Sequence, residues 1–501
     1  MAALIEGEHV VIARQVGRDL VPAVRGLRAA VEEQHGRLAP GAPVEEVEAE
    51  AVEGGGAVGG GGDHTPRLAR RAALCPGSRA ALTPARAAAI ARRVIAVGEA
   101  LATVCAAARV LGDERVVLAE ALGRVAAADV VSARAVPAAP NSAMDGFAVR
   151  HADLASVPAR LRVVAVEPAG SVVDTPVEPG TAVKLFTGSV IPRGADTVVK
   201  VEDTEERDGM VVVRAAPAPG ANVRPAGEDV RPGQVVVGSG TAIGPADLGV
   251  AASIGCATLA VHRRPRVAIL PTGAELVEVD ETPGPGQVVN SNAYSLAAAA
   301  REAGAEPLVL PIVRDRAADI RAGLARALEA DVVLTSGGVS VGELDLVKDA
   351  LAAAGVERIF WQVAQKPGRP LVFGRRGERL VFGLPGNPVS ALVCFYLYVR
   401  PVLRRMQGHR RLHLPVVHAV LAAPARKAKG LTEFLRVRLE ETGDGPVATP
   451  LAAQGSGVLS ALGGGAALLV GPLELTELPA GGRFPVIVLG EATLAREAPP
   501  F

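Results

Sequence analysis

The run SGGVSVGELD, residues 336–345, follows the apolar segment DVVLT, so a strand ends there in two glycines and runs on to a carboxylate. Gly337 and Gly338 leave backbone N–H groups free to face a ligand, and a helix starting soon afterwards adds its positive end. That combination favours a phosphate or a similar oxyanion. Asp345 falls inside the predicted helix, one turn from such an anion, where it can hold a metal or order basic residues. Three more segments end in the same way: PTGAEL carries Glu275, VRD carries Asp315, and GLPGNPVS offers Asn387 as a helix cap with Pro388 at the first helical position. A single exit of this kind is an ordinary turn. Four in succession, bringing three carboxylates and two helix N-termini to one sheet edge, mark a binding site.

Basic groups accompany them. KPGRP, residues 366–370, holds Lys366 and Arg369 on a loop stiffened by Pro367 and Pro370, which lowers the entropy cost of binding an anion. Lys348, one turn after Asp345, is a third cation. Elsewhere, PNSAMDGFAV places Asp145 in a Pro-bounded segment, and RPAGEDVRPG sets Glu228 and Asp229 between Arg224 and Arg231. Near the C-terminus, EFLRVRLE offers Arg436 and AQGSGVLS offers Ser456, two side chains that can donate to a tetrahedral oxyanion. Fixed donors suit anions, and the carboxylates then call for a hard divalent cation, Mg²⁺, to bridge to phosphate oxygens. No His cluster, nucleophilic Cys motif or Ser–His pairing suggests covalent catalysis.

Positioning these groups takes several domains, because 501 residues exceed one core. Residues 264–408 alternate strand and helix, which implies a parallel sheet with helices on its faces and ligands beyond the strand carboxyl ends. Residues 160–240 carry short Val-rich runs between Gly and Pro turns and read as a small β unit. Residues 412–501 return to short strands, a small barrel or sandwich. From about 84 to 125 the apolar spacing is helical. Before it, VEEVEAEAVEGGGAVGGGGD is acidic and then Gly-rich, so residues 1 to about 80 read as a flexible, largely disordered extension.

The totals narrow the class. Lys plus Arg equals Asp plus Glu, 53 each, which argues against general binding to nucleic acid or an acidic membrane. Four widely spaced cysteines give neither a zinc site nor a disulfide framework and fit a reducing, cytoplasmic location. No apolar run reaches the length of a membrane span, and the first residues lack a secretory h-region.

PNSAMDGFAV, FTGSVIPRGADTVVKVED, GEDVRPG, PTGAEL, NSNAYSL, SGGVSVGELD, KPGRP, GLPGNPVSA and QGSG stand in an order that resembles the molybdopterin molybdenumtransferases, a group that includes the C-terminal part of gephyrin. The resemblance covers about residues 95–501. It implies an elongated dimerisation domain from 95–140 and 228–263, an inserted β-rich domain at 141–227, a three-layer α/β molybdopterin-binding domain at 264–411 and a C-terminal β-barrel at 412–501. It implies a homodimer whose site lies between the α/β domain of one subunit and parts of the other. The substrates it implies are molybdate and adenylylated molybdopterin, with Mg²⁺ as cofactor and AMP released. Contacts with the preceding adenylyltransferase and with molybdoenzyme chaperones would go with that role. The residues carried over as catalytic are Asp145, Asp229, Glu275, Asp315, Asp345 and Lys366, with Glu275, Asp315 and Asp345 as metal ligands. Those assigned to substrate are Thr187, Ser336, Gly337, Gly338, Ser340, Lys348, Arg369, Pro385, Gly386, Asn387, Pro388, Arg436 and Ser456. Ala274 stands where Asp or Asn is frequent, and Gln362 where some relatives have Lys, so one polar group and one positive charge are absent near the anion. A molybdopterin adenylyltransferase resembles the α/β part alone, and a scaffold of the gephyrin type would need a partner-binding segment.

Overall fold

A computed structural model describes residues 94–171, 174–337 and 346–490. The expectations for the N-terminal extension up to residue 93, and for Gly338, Ser340 and Asp345, lie outside these residues.

The strand VVLTS, Val332–Ser336, is buried along its whole length, as a strand covered on both faces must be. It lies inside a six-stranded sheet ordered Glu306–Val309, Arg266–Pro271, Val332–Ser336, Arg379–Leu384, Pro370–Arg376 and Glu357–Gln362. The first four strands are parallel and the last two antiparallel. This corrects the all-parallel expectation. At Gly377 (φ +59°) the chain reverses within a tight hairpin, so no crossover helix separates these strands. Helices Ser291–Glu302 and Pro388–Cys394 pack on one face, with Leu296, Val389 and Phe395 in a shared core. Helices Ala317–Ala327 and Leu346–Ala353 cover the other through Ile320, Leu324 and Val347. The long helix expected from Pro388 onwards is three consecutive pieces, with a π-helical stretch at Phe395–Val399 before Arg400–Met406.

Five strands close into a C-terminal barrel: Thr432–Thr442, Gly445–Pro450, Val416–Leu421, Arg483–Val488 and Ala466–Gly471, the last pairing back onto the first. The short strand Gln365–Lys366 adds in parallel to Thr432–Glu433, so the start of KPGRP is hydrogen-bonded into the barrel edge. The inserted unit is a six-stranded sheet in which Gly146–Val149 lies between Thr181–Leu185 and Thr197–Lys200.

Among the described residues, the helical expectation for 84–125 holds for Val97–Ala107 and a short 3₁₀ helix at Leu118–Glu120. Between the two, Asp113–Val117 forms a strand against Thr258–His262, because the β-branched pair Val116–Val117 meets a facing strand of like character. Although the sequence groups the helix Val97–Ala107 with the elongated unit, it buries Ala100 and Val104 in the core of the α/β unit. The elongated unit itself closes on Val116, Val237, Ile243 and Val261.

Candidate functional site

The strand Arg266–Pro271 leads through one helix to its outer neighbour Glu306–Val309, and from there through a second helix back across the sheet to Val332–Ser336. Connections thus leave in opposite directions between Arg266–Pro271 and Val332–Ser336, and a crevice opens beyond their carboxyl ends. A cleft of about 650 Å³ occupies that position. Its walls come from three adjacent strand exits: Thr272 and Glu275, then Ser336 and Gly337, then Pro385, Gly386, Asn387 and Pro388. The start of the helix Ser291–Glu302 completes it, with Asn290 accepting a cap bond from the Ala293 N–H at 3.4 Å. Gly337 is required there, since it has φ +98° and an added Cβ would sit 2.5 Å from the Thr272 carbonyl oxygen.

Glu275 is exposed on the rim, and its carboxylate folds back over Gly273, whose missing side chain leaves the room: an added Cβ would lie 2.5 Å from Glu275 Oε2. The neighbouring exit holds this loop. Arg314 Nη1 donates to the Ala274 and Leu276 carbonyls at 2.9 and 2.8 Å, on either side of Glu275. Asp315 Oδ2 accepts the Ala274 N–H at 3.0 Å. Asp315 therefore fastens the loop that carries Glu275.

A second cavity of about 540 Å³ adjoins the first, and Pro370, Asn387 and Ser390 line both. Lys366, Arg369, Arg436, Gln454 and Ser456 lie on its walls. Arg369 is exposed, and its guanidinium has no partner among the described residues. Lys366 pairs with Glu433 Oε1 at 2.9 Å. Arg436 is 1% exposed and turns inward: Nε and Nη2 donate to the Ala453 carbonyl, and Nη2 also to Gly455 at 3.1 Å. Burial lowers its pKa, with Glu433 acting in the opposite sense. Arg436 thus shapes the loop that carries Ser456. The expected cap by Asn387 is not made. Asn387 occupies the N-cap position, but its amide donates to Ser456 Oγ at 2.9 Å, and the Val389 N–H donates to the Ser456 carbonyl at 3.1 Å. The capping group is spent on docking the barrel loop against the helix start.

Four sequence-marked residues stand apart. Lys348 lies over the Trp361 ring, 4.3 Å from its centroid, and lines a different cavity with Arg358. Asp145 and Thr187 meet each other in the inserted unit: the Thr187 N–H and hydroxyl donate to Asp145 Oδ1 at 2.7 and 2.8 Å. The backbone bond first, then the hydroxyl, holds the Asp145 carboxyl below the usual carboxylate range. Asp229 is exposed, with its backbone N–H donating to the Val136 carbonyl.

Sequence reasoning missed Asn292. It is buried in the cleft wall, and its amide donates to Ser336 Oγ and to the Gly386 carbonyl, both at 2.8 Å, so it ties two strand exits to one helix. The motif NSNAYSL contained the signal, since a polar residue just after a cap faces whatever the helix start faces. Arg314 was also missed, beside Asp315.

Set beside known proteins, the chain matches three family models in succession. The MoeA N-terminal region (domain I and II) covers residues 95–255, a probable molybdopterin binding domain covers 268–405, and the MoeA C-terminal region (domain IV) covers 418–489. Molybdopterin molybdenumtransferase 2 of Mycobacterium tuberculosis is 40% identical over 335 residues, 64% of this chain and 82% of that protein. The molybdopterin molybdenumtransferase of Bacillus subtilis is 34% identical over 390 residues, 76% of this chain and 91% of the relative. The crystal structure of the molybdopterin biosynthesis moeA protein from Pyrococcus horikoshii OT3 superposes with a TM-score of 0.68 at 31% identity, covering 79% of this chain and 100% of that one. With its three regions in order and a cleft at the switch point of the sheet, the chain belongs to the molybdopterin molybdenumtransferases, transferases of molybdenum cofactor biosynthesis.

Proposed function

We propose that this transferase moves molybdenum from molybdate into adenylylated molybdopterin with release of AMP, and that the two cavities divide the substrates. The observation that carries the reading is their common wall of Pro370, Asn387 and Ser390. One side offers the length, glycines and helix start suited to a phosphate-bearing organic molecule. The other offers Lys366 and Arg369 to a tetrahedral dianion. Across the shared wall, a bound anion lies next to the organic substrate. Catalysis then rests on positioning and on charge stabilisation.

Among the described residues no cluster of three or more His, Cys, Asp or Glu side chains exists. Among these residues a divalent ion fits as Mg²⁺ is usually held, by one or two carboxylates with substrate phosphate oxygens and water. Glu275 is the described carboxylate that would hold it, and the ion would neutralise phosphate charge. Arg314, Asp315 and Gly273 fix the Glu275 backbone and leave its carboxylate room at the rim.

We further propose a homodimer, in which Asp145, Thr187 and Asp229 complete the cleft of the partner subunit. The free thiols Cys105, Cys256 and Cys394 accord with a reducing cytoplasm.

Molybdate titration tests the division of substrates. Arg369→Ala should raise the half-saturating molybdate concentration on the order of tenfold to a hundredfold while affinity for the organic substrate stays nearly normal. Excess molybdate should restore turnover. Loss of organic-substrate affinity instead would assign Arg369 to the other cavity.

A further inference from the structure

Behind the KPGRP loop a buried polar stripe runs inward from Ser390 on the shared cavity wall. Ser390, Cys394 and Tyr398 follow one another at four-residue spacing on the segment Pro388–Val399. All three are buried, and Gln365, the residue just before Lys366, is fully buried beside Cys394 and Tyr398. The Tyr398 hydroxyl donates to Gln365 Oε1. Gln365 Nε2 donates to the Pro367 carbonyl at 3.0 Å and lies 3.6 Å from Cys394 Sγ. Cys394 Sγ is in turn 3.5 Å from the Gly368 carbonyl oxygen. Gly368, at φ +85°, presses so close that an added Cβ would lie 2.5 Å from Cys394 Sγ and 2.9 Å from Gln365 Nε2.

We infer that Gln365, locked by Tyr398, is a positioning residue for anion binding: it fixes the loop backbone that carries Lys366 and Arg369. One amide bridges the helix and the loop. Its oxygen is committed to Tyr398 and its nitrogen to Pro367, so both ends of the side chain are fixed. The loop carbonyls at 367 and 368 both accept bonds from behind, from Gln365 Nε2 and Cys394 Sγ, which holds the backbone from which the cations on either side project. Burial keeps the Tyr398 hydroxyl and the Cys394 thiol protonated, so both remain donors. A dianion gains from donors that do not move when it leaves, because the ordering cost is met during folding.

This inference rests on the molybdate reading of the adjoining cavity, and the test separates the two. Tyr398→Phe should raise half-saturating molybdate about tenfold, the effect of loosening one charge-assisted contact, with kcat at saturating molybdate and organic-substrate KM unchanged. Deuterium uptake of a peptide spanning 366–369 should rise. Gln365→Met leaves the Tyr398 hydroxyl and the Pro367 carbonyl without their partner, so half-saturating molybdate should rise at least as far as in Tyr398→Phe. A merely structural pair would lower Tm in both variants and leave half-saturating molybdate unchanged. If Arg369→Ala shifts molybdate affinity and neither of these variants does, the positioning role is wrong. If Arg369→Ala has no effect either, the molybdate reading fails, and the uptake measurement decides alone: faster exchange upholds the positioning, unchanged exchange overturns it.

Discussion

The Lys366 ammonium lies 2.9 Å from Glu433 Oε1, a pair that joins the KPGRP loop to the first barrel strand. The two ends are unequal. The Lys366 side chain is 54% exposed and that of Glu433 only 6%, and Glu433 Oε2 also accepts the Ala428 N–H at 3.1 Å. Glu433 lines the cavity proposed for molybdate, where a buried carboxylate would oppose a dianion and limit its affinity while ordering the lysine.

Glu433→Gln should therefore tighten molybdate binding. The amide oxygen can still accept from Ala428, and the exposed Lys366 is not left buried and unpaired. Half-saturating molybdate should fall roughly threefold to tenfold, corresponding to about 1 kcal/mol for a partly screened charge. Calorimetric titration with molybdate reads this directly. Weaker binding in Glu433→Gln would mean that ordering Lys366 matters more than the repulsion.

Gly337→Ala should damage the cleft itself. The residue would have to keep φ +98° with its Cβ 2.5 Å from the Thr272 carbonyl oxygen, so two strand exits must separate. A loss of about 1–3 kcal/mol of stability is expected, with a larger loss of organic-substrate affinity than of molybdate affinity. Thermal denaturation and separate titrations of the two substrates check both parts. Equal losses would contradict the assignment of the two cavities.

His409 gives a pH signature away from the site. Burial first, then Arg404 and Arg400, pushes its pKa down to about 4, and Nδ1 lies 3.2 Å from Arg404 Nη2, as a neutral ring accepting a bond requires. The unfolded chain takes up this proton near pH ~6.5. Between those values the unfolded state binds more protons, so the folded state loses stability as pH falls from about 6.5 through about 4. The half-buried ring limits the effect to about 1–2 kcal/mol. His409→Gln should flatten the dependence of Tm on pH in that window and leave it unchanged above pH ~7. An unchanged slope would show that His409 is already charged when folded.

What was legible in the sequence follows from backbone chemistry. Gly337, Pro385, Gly386 and Pro388 announce themselves because glycine and proline punctuate strand exits and helix starts, and all four line one cleft. Glu275, the carboxylate of the first exit, lines it too. Side-chain partnerships were not legible. Nothing local in GLPGNPVS tells Asn387 to reach Ser456 across 69 positions rather than cap its own helix. Gln365 reads as one residue of a loop, and its partners Cys394 and Tyr398 become visible only once the helix turns them towards it. The hairpin joining Pro370–Arg376 to Arg379–Leu384 was hidden for another reason: two apolar runs joined by RRGER look the same in a crossover and in a turn until Gly377 takes a positive φ.

The most direct measurement combines the purified chain with adenylylated molybdopterin, molybdate and Mg²⁺, and follows AMP by chromatography and pterin-bound molybdenum by mass spectrometry. AMP and the molybdenum-loaded pterin should appear in equal amounts, both dependent on molybdate, and both should fall at limiting molybdate in Arg369→Ala. AMP released without molybdenum incorporation, or neither product above a protein-free control, would contradict the transfer.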